Sequence, residues 1–121
     1  MTRRILLVGE QNPHGGDPRL ALYPLPACGS GGRLQRILGL SVTEYLRRHD
    51  RVNLCRDAWD RYEAIKSGQR VTAERPFGSG IVVCGSKAAG AFGLPYTPMT
   101  IFEHLGLYML VLPHPAVQGV E

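Results

Sequence analysis

Two short polar strings at opposite ends of the chain hold the residues best suited to act on a ligand. Near the start, the apolar run Ile5-Leu6-Leu7-Val8 breaks into Gly9-Glu10-Gln11-Asn12-Pro13-His14-Gly15-Gly16. Near the end, Leu110-Val111-Leu112 breaks into Pro113-His114-Pro115. Asn12 precedes a proline, which restricts it to extended geometry and aims its amide. Such an amide either orients a water or caps the turn. His114 sits between two prolines, a rigid setting for a hydrogen-bond donor, or else it is a solvent-facing turn residue. In parallel α/β sheets ligands bind beyond the carboxyl ends of strands, so two such exits can share one pocket. Asn12 and His114 would then be partners.

Three further positions have chemistry to offer. Asn53 lies in Val52-Asn53-Leu54-Cys55, among apolar neighbours, where burying an amide costs free energy unless it is partnered. It either reads the edge of a base with its acceptor and two donors, or bonds neighbouring backbone. Tyr23, in the Pro-flanked stretch Leu22-Tyr23-Pro24-Leu25-Pro26, is either a stacking platform for a planar ligand or a core residue. Gly85-Ser86-Lys87 joins an apolar run to a helix; its amides and Lys87 can accept a phosphate, while Ser86 can equally be an ordinary N-cap. His49 and His104 have no comparable context and read as surface or packing residues. Asn12, Tyr23, Asn53 and His114 are expected to line one pocket at the carboxyl edge of a sheet.

The elements that must position these residues are legible. Four apolar runs, Arg4–Val8, Arg51–Cys55, Gly80–Cys84 and Leu107–Leu112, read as strands, and the continuous apolar stretches Ile5–Val8, Ile81–Val83 and Met109–Leu112 suit strands covered on both faces. Between them, Arg33–Leu38 carries Leu34, Ile37 and Leu38 at helical spacing and ends at Gly39. Ser41-Val42-Thr43-Glu44 is a capping box, with Leu40 and Tyr45 at the staple positions and Arg47 and Arg48 at the helix C-terminus. A third helix is predicted from Asp57 to about Gly68, burying Trp59, Tyr62 and Ile65. The polar stretch Gly68 to Pro76 reads as a loop. A fourth helix runs from Ser86 to Gly93, with Ala88, Ala89 and Phe92 on one side. Gly9 to Cys28 is a long Gly- and Pro-rich loop, and loops beyond about 12–15 residues are usually functional or disordered. The alternation of strands and helices predicts a three-layer α/β domain with right-handed crossovers.

Composition bounds the rest. The 121 residues suit a single domain, 1–121, with a real core. No apolar segment approaches the roughly 20 residues that span a bilayer, and Ile5–Val8 is too short for a signal peptide, so no membrane association and a cytoplasmic location are expected. Cys28, Cys55 and Cys84 form no CxxC pair, so they read as buried or half-buried free thiols, with no metal site and no cofactor implied. The net charge of +4 permits a polyanionic partner without requiring one.

In order and spacing, these residues resemble the uracil-DNA glycosylase superfamily over nearly the whole chain. Gly9-Glu10-Gln11-Asn12-Pro13-His14-Gly15 is similar to the family's first motif, with one extra residue between Gly and Pro. The resemblance implies that Asn12 positions the attacking water, with Glu10 as the alternative if the register is shifted. Tyr23 falls where the family places an aromatic that stacks on the flipped base. Val52-Asn53-Leu54 resembles the strand whose Asn reads the uracil edge, and Leu112-Pro113-His114-Pro115 the second motif, whose His donates to the base as negative charge develops. His14 stands where the family has Tyr or Gly, which implies a base-binding role and a pocket open to a modified base. After Pro115 the chain reads Ala116-Val117-Gln118-Gly119-Val120-Glu121, without the family's phosphate-holding Ser and duplex-wedging loop. The implied architecture is a three-layer sandwich around a central four-stranded parallel sheet. The implied activity is hydrolysis of the N-glycosidic bond of uracil or a modified pyrimidine, without a covalent enzyme intermediate. DNA with a single-stranded or unpaired base is the favoured partner, because extrusion from a duplex without a wedge is costly. A non-catalytic base- or nucleotide-binding module, or a hydrolase of free nucleotides, are the alternatives.

Overall fold

The computed structural model describes residues 4–11 and 17–115. They form an α/β domain whose elements are β1 (Ile5–Gln11), a 3-10 turn (Pro18–Leu20), α1 (Ser30–Ile37), α2 (Val42–Arg48), β2 (His49–Cys55), α3 (Arg61–Glu74), β3 (Gly80–Cys84), α4 (Ser86–Ala91), β4 (Thr100–His104) and β5 (Leu107–Leu112). One five-stranded sheet has the order β2-β1-β3-β5-β4. β1 pairs parallel with β2 and β3, and β3 parallel with β5. β4 pairs antiparallel with β5. The sheet is therefore mixed, which corrects the expectation of four strands, all parallel.

The extra strand escaped detection because it lies at an edge. Its burial alternates, with Ile101 and Glu103 exposed, so no continuous apolar run marks it. Its turn is nonetheless a hairpin signal: Leu105 and Gly106 both have positive φ (52° and 81°), as a two-residue turn matched to strand twist requires.

Helices cover both faces. Leu6, Val8, Ile81, Val83, Met109 and Val111 pack with Ala64 and Val71 of α3 and Ala88, Ala89 and Phe92 at α4. On the other face, Leu7, Val82, Cys84 and Leu112 pack with Leu34 of α1 and Tyr45 of α2. α2 starts as expected, with Ser41 Oγ accepting from the Glu44 N–H (3.1 Å). Only half of the capping box forms among the described residues, because the Glu44 carboxylate binds Arg47 and Arg48 instead.

α3 departs from expectation at both ends. Asp60, not Asp57, caps it, accepting from the N–H groups of Tyr62 and Glu63. The helix then runs through Gly68 to Glu74, so the supposed loop after Gly68 is helical. An interior glycine costs roughly 1 kcal/mol of helix propensity, and here the buried row Ala64, Ser67, Gly68 and Val71 on the sheet outweighs it. Pro76 sets the true stop, since a residue before proline is pushed out of the helical region. Tyr62, expected in the core, is 79% exposed. Trp59 and Ile65 are half-buried.

The amino ends of β1 and β2 are tied by charge. Asp50 accepts from Arg4 (2.8 Å) and Arg75 (3.1 Å), and Arg75 also donates to the Arg4 carbonyl (2.7 Å). On the α1–α2 face, the fully buried Tyr45 donates its hydroxyl to the Leu22 carbonyl (2.8 Å). That bond holds Leu22 in a left-handed conformation (φ 49°) that a branched side chain ordinarily avoids. Tyr45→Phe removes the donor and leaves a buried carbonyl unsatisfied. It is expected to lower unfolding free energy by about 1–3 kcal/mol in urea titration; an unchanged midpoint would show that this bond does not anchor the loop.

Candidate functional site

β1, β2, β3 and β5 all point their carboxyl ends to one edge of the sheet, and the crossovers that lead to β2 and then to β3, the two neighbours of β1, run over opposite faces. α1 and α2 carry the chain over one face to β2, and α3 carries it over the other face to β3. The gap between β1 and β3 is thus a topological switch point, where open α/β sheets form their binding crevices. A cavity of about 580 Å³ lies there, lined by Glu10, Tyr23, Asn53, Lys87 and His114 with apolar Leu20, Leu22, Leu25 and Pro26.

Each polar group reaches the cavity for a local reason. β1 continues past Val8, because Gly9 pairs with Asn53 and Gln11 with Cys55. Glu10 is consequently a strand residue rather than part of a loop. Its carboxylate crosses toward Gly85, the residue between β3 and α4. Gly85 has φ 99° and ψ 159°, a region essentially restricted to glycine. A Cβ there would stand 2.5 Å from Glu10 Oε2 and 3.3 Å from His114 Cβ. The missing side chain lets Glu10 and His114 approach, with His114 Nε2 3.8 Å from Glu10 Oε1. Both are largely buried, with 26% of the His114 and 15% of the Glu10 side chain exposed.

Asn53 lies half-buried across β1, its amide oxygen against Gly9. Among the described residues its side chain makes no hydrogen bond, so it is not an amide spent on neighbouring backbone. Tyr23 is half-buried, with the Arg51 guanidinium 5.2 Å from its ring centre. Lys87 reaches the cavity from the first turn of α4 and lies 5.7 Å from the centre of the Trp59 ring. Ser86 is exposed and does not line the cavity; Gly85, not Ser86, is the N-cap of α4. Asn12 and His14 lie outside the described residues.

Sequence reasoning therefore named four lining residues that come from separate elements, Tyr23, Asn53, Lys87 and His114, together with Glu10. It missed Arg51, and it read Gly85 only as part of a turn able to accept a phosphate. Gly85 had a signal, a glycine at a strand-to-helix junction. Arg51 had none, because its role depends on a loop about thirty positions away in the chain.

The two buried thiols, Cys55 and Cys84, are poor nucleophiles in this setting. Cys55 and Cys84 are buried, and Cys28, expected to be at least half-buried, is exposed. Burial, and secondarily the Glu10 charge, pushes the Cys84 thiol up to about 12. Burial likewise pushes the Tyr45 hydroxyl well above the usual phenol range. His49 is buried and its Nδ1 lies 2.9 Å from the Tyr45 carbonyl, a packing role as anticipated. No helix of the described residues is long and apolar enough to cross a membrane.

Two outcomes follow from this geometry. Gly85→Ala is expected to cost about 1–3 kcal/mol from backbone strain and to displace Glu10 and His114; a variant as stable as the parent, with unaltered His114 ring resonances, would contradict it. Raised Cys84 and Tyr45 values mean that the unfolded chain sheds protons that the folded chain keeps. The part of stability that these groups supply should then be flat below pH 9, where an ordinary thiol ionises, and fall between pH 9 and about 12. Cys84→Ala should flatten part of that fall in denaturant titrations at stepped pH. No protein-family model matches the chain, and no curated protein or solved structure gives a significant match.

Proposed function

We propose that the cavity is a nucleobase pocket of a uracil-DNA glycosylase-like enzyme, one that hydrolyses the N-glycosidic bond of uracil or a modified pyrimidine in DNA with an unpaired base. The observation that carries this reading is the convergence of Tyr23, Asn53 and His114, with Glu10 and Lys87, in one cavity at the switch point. These are the group types a pyrimidine needs. A ring face stacks, an amide pairs with the O4–N3 edge, an imidazole donates to a carbonyl oxygen, and an ammonium meets phosphate.

The reaction divides among them as follows. Water attacks C1′ of an oxocarbenium-like sugar while the C1′–N1 bond breaks, its electron pair leaving with the base. His114 donates a hydrogen bond to the base as that charge accumulates, which lowers the barrier more than it tightens binding. Asn12, the residue after β1, or Glu10 orients the water. Between the two, the buried carboxylate of Glu10 also has the basicity to take the water's proton, which an amide lacks. Lys87 and the basic balance of the chain favour a polyanionic substrate.

Incubation with uracil-containing single-stranded DNA followed by alkali should break the strand at the uracil. His114→Ala should slow base release on the order of 100-fold or more, with DNA affinity nearly unchanged. Asn53→Ala should weaken base selectivity along with rate. Base release from free nucleotides only would move the reading to a nucleotide hydrolase. Affinity for the base without release from any substrate would make the pocket a binding module. Undiminished turnover in His114→Ala would remove His114 from the chemistry.

A further inference from the structure

Among the described residues that line the cavity, Tyr23 is the only Phe, Tyr or Trp. Its ring is not backed by apolar packing alone. The Arg51 guanidinium sits over it, 5.2 Å from the ring centre, while Arg51 itself does not line the cavity. The same guanidinium donates through Nη1 to the carbonyls of Ala21 (2.9 Å) and Arg19 (3.2 Å). Its position is therefore set by β2 on one side and by the loop entering Tyr23 on the other. Tyr45 clamps the next carbonyl, that of Leu22, from below. Gly31, at the start of α1, lets that helix press directly on the Leu22 and Tyr23 carbonyls, where a side chain would collide. The ring is thus held from three elements and paired with a fixed cation.

We infer that Arg51 is a positioning and specificity residue: it backs the Tyr23 ring with positive charge, so that the cavity prefers flat heterocycles that carry or develop negative charge over neutral ones of the same outline. The inference rests on the nucleobase reading of the pocket. Its physical basis is the ring quadrupole. A tyrosine face is electron-rich and repels an anion stacked on it, whereas a cation on the opposite face draws π density away and adds its own attraction. Water cannot provide this, since it would screen the charge, but a guanidinium tied to two carbonyls beside a half-buried ring is poorly screened. Arginine suits the place better than lysine. Its delocalised, weakly hydrated guanidinium bonds both carbonyls through Nη1 and still meets the ring with the rest of its plane, whereas a lysine ammonium is a compact, strongly hydrated charge. For a base leaving as an anion, the effect would work alongside the hydrogen bond from His114, from the face of the ring rather than its edge.

The test uses two free bases of similar outline, 5-nitrouracil, which is anionic near neutral pH, and thymine, which is neutral, titrated into the intact protein by calorimetry or NMR. The wild type should bind the anionic base about two- to fivefold more tightly. Arg51→Gln should lower that preference about twofold or more while leaving thymine binding nearly unchanged, and Arg51→Lys should retain part of it. Tyr23→Leu removes the ring but not the guanidinium, so it should weaken the binding of both bases. Equal binding of the two bases by the wild type, or an undiminished preference in Arg51→Gln, would overturn the inference while leaving the nucleobase pocket intact. The wild-type comparison needs no variant, so it decides the matter even if Arg51→Gln does not fold. Failure of the wild type to bind either base would instead overturn the nucleobase reading itself.

Discussion

The parallel pairing of β1 between β2 and β3 is the constraint on which the rest of the molecule depends. It aligns Gly9 with Asn53 and Val8 with Val83, so the carboxyl ends of three strands finish at the same edge. Because each connection must return over a face of the sheet, parallel pairing also dictates helices on both sides. The crevice between β1 and β3 is a by-product of those crossovers diverging. Glu10 and Asn53, still within the ladder of β1 and β2, line that crevice with their polar groups.

The walls of that crevice are made rigid by bonds remote from it. Tyr45, buried under α2, reaches Leu22; Arg51, on β2, reaches Ala21 and the Tyr23 ring; Gly31 lets α1 close against the same segment. A loop held from three directions can keep Leu22 at a strained positive φ and present Tyr23 in one pose. Preorganisation of this kind lowers the cost of binding a flat ligand, because little side-chain freedom remains to be lost. On the opposite wall, Gly85 does the same for Glu10 and His114 by leaving out a side chain. The two walls are built on different principles, one by added bonds and one by removed bulk.

The two buried thiols suit the proposed reaction, which needs positioned dipoles rather than a covalent nucleophile. Cys84, which feels the Glu10 charge, is held protonated chiefly by burial. Glu10 and His114 are within 4 Å of each other in a partly desolvated setting, where a hydrogen bond or ion pair counts for more than it would in water. For the proposed reaction, that juxtaposition sets a group able to orient a water beside one able to hydrogen-bond the departing base.

The amino-acid order alone determined four strands, the cap of α2, the class of fold and most of the polar groups around the crevice. These are local matters: an apolar run of five residues, a Ser three positions before a Glu, an Asn or His just past a strand. What failed was also local in origin. Gly68 looked like a helix end because its neighbours are polar, yet contact with the sheet sustained α3 for six more residues. β4 looked like loop because an edge strand buries only alternate residues. Only the tertiary structure decided that Glu10 belongs to β1 and points at His114, that Asn53 leaves its amide unspent, and that Arg51 lies on Tyr23. Each of these depends on pairing between segments tens of residues apart, and such pairing is chosen by the burial of whole faces rather than by any residue's own preference.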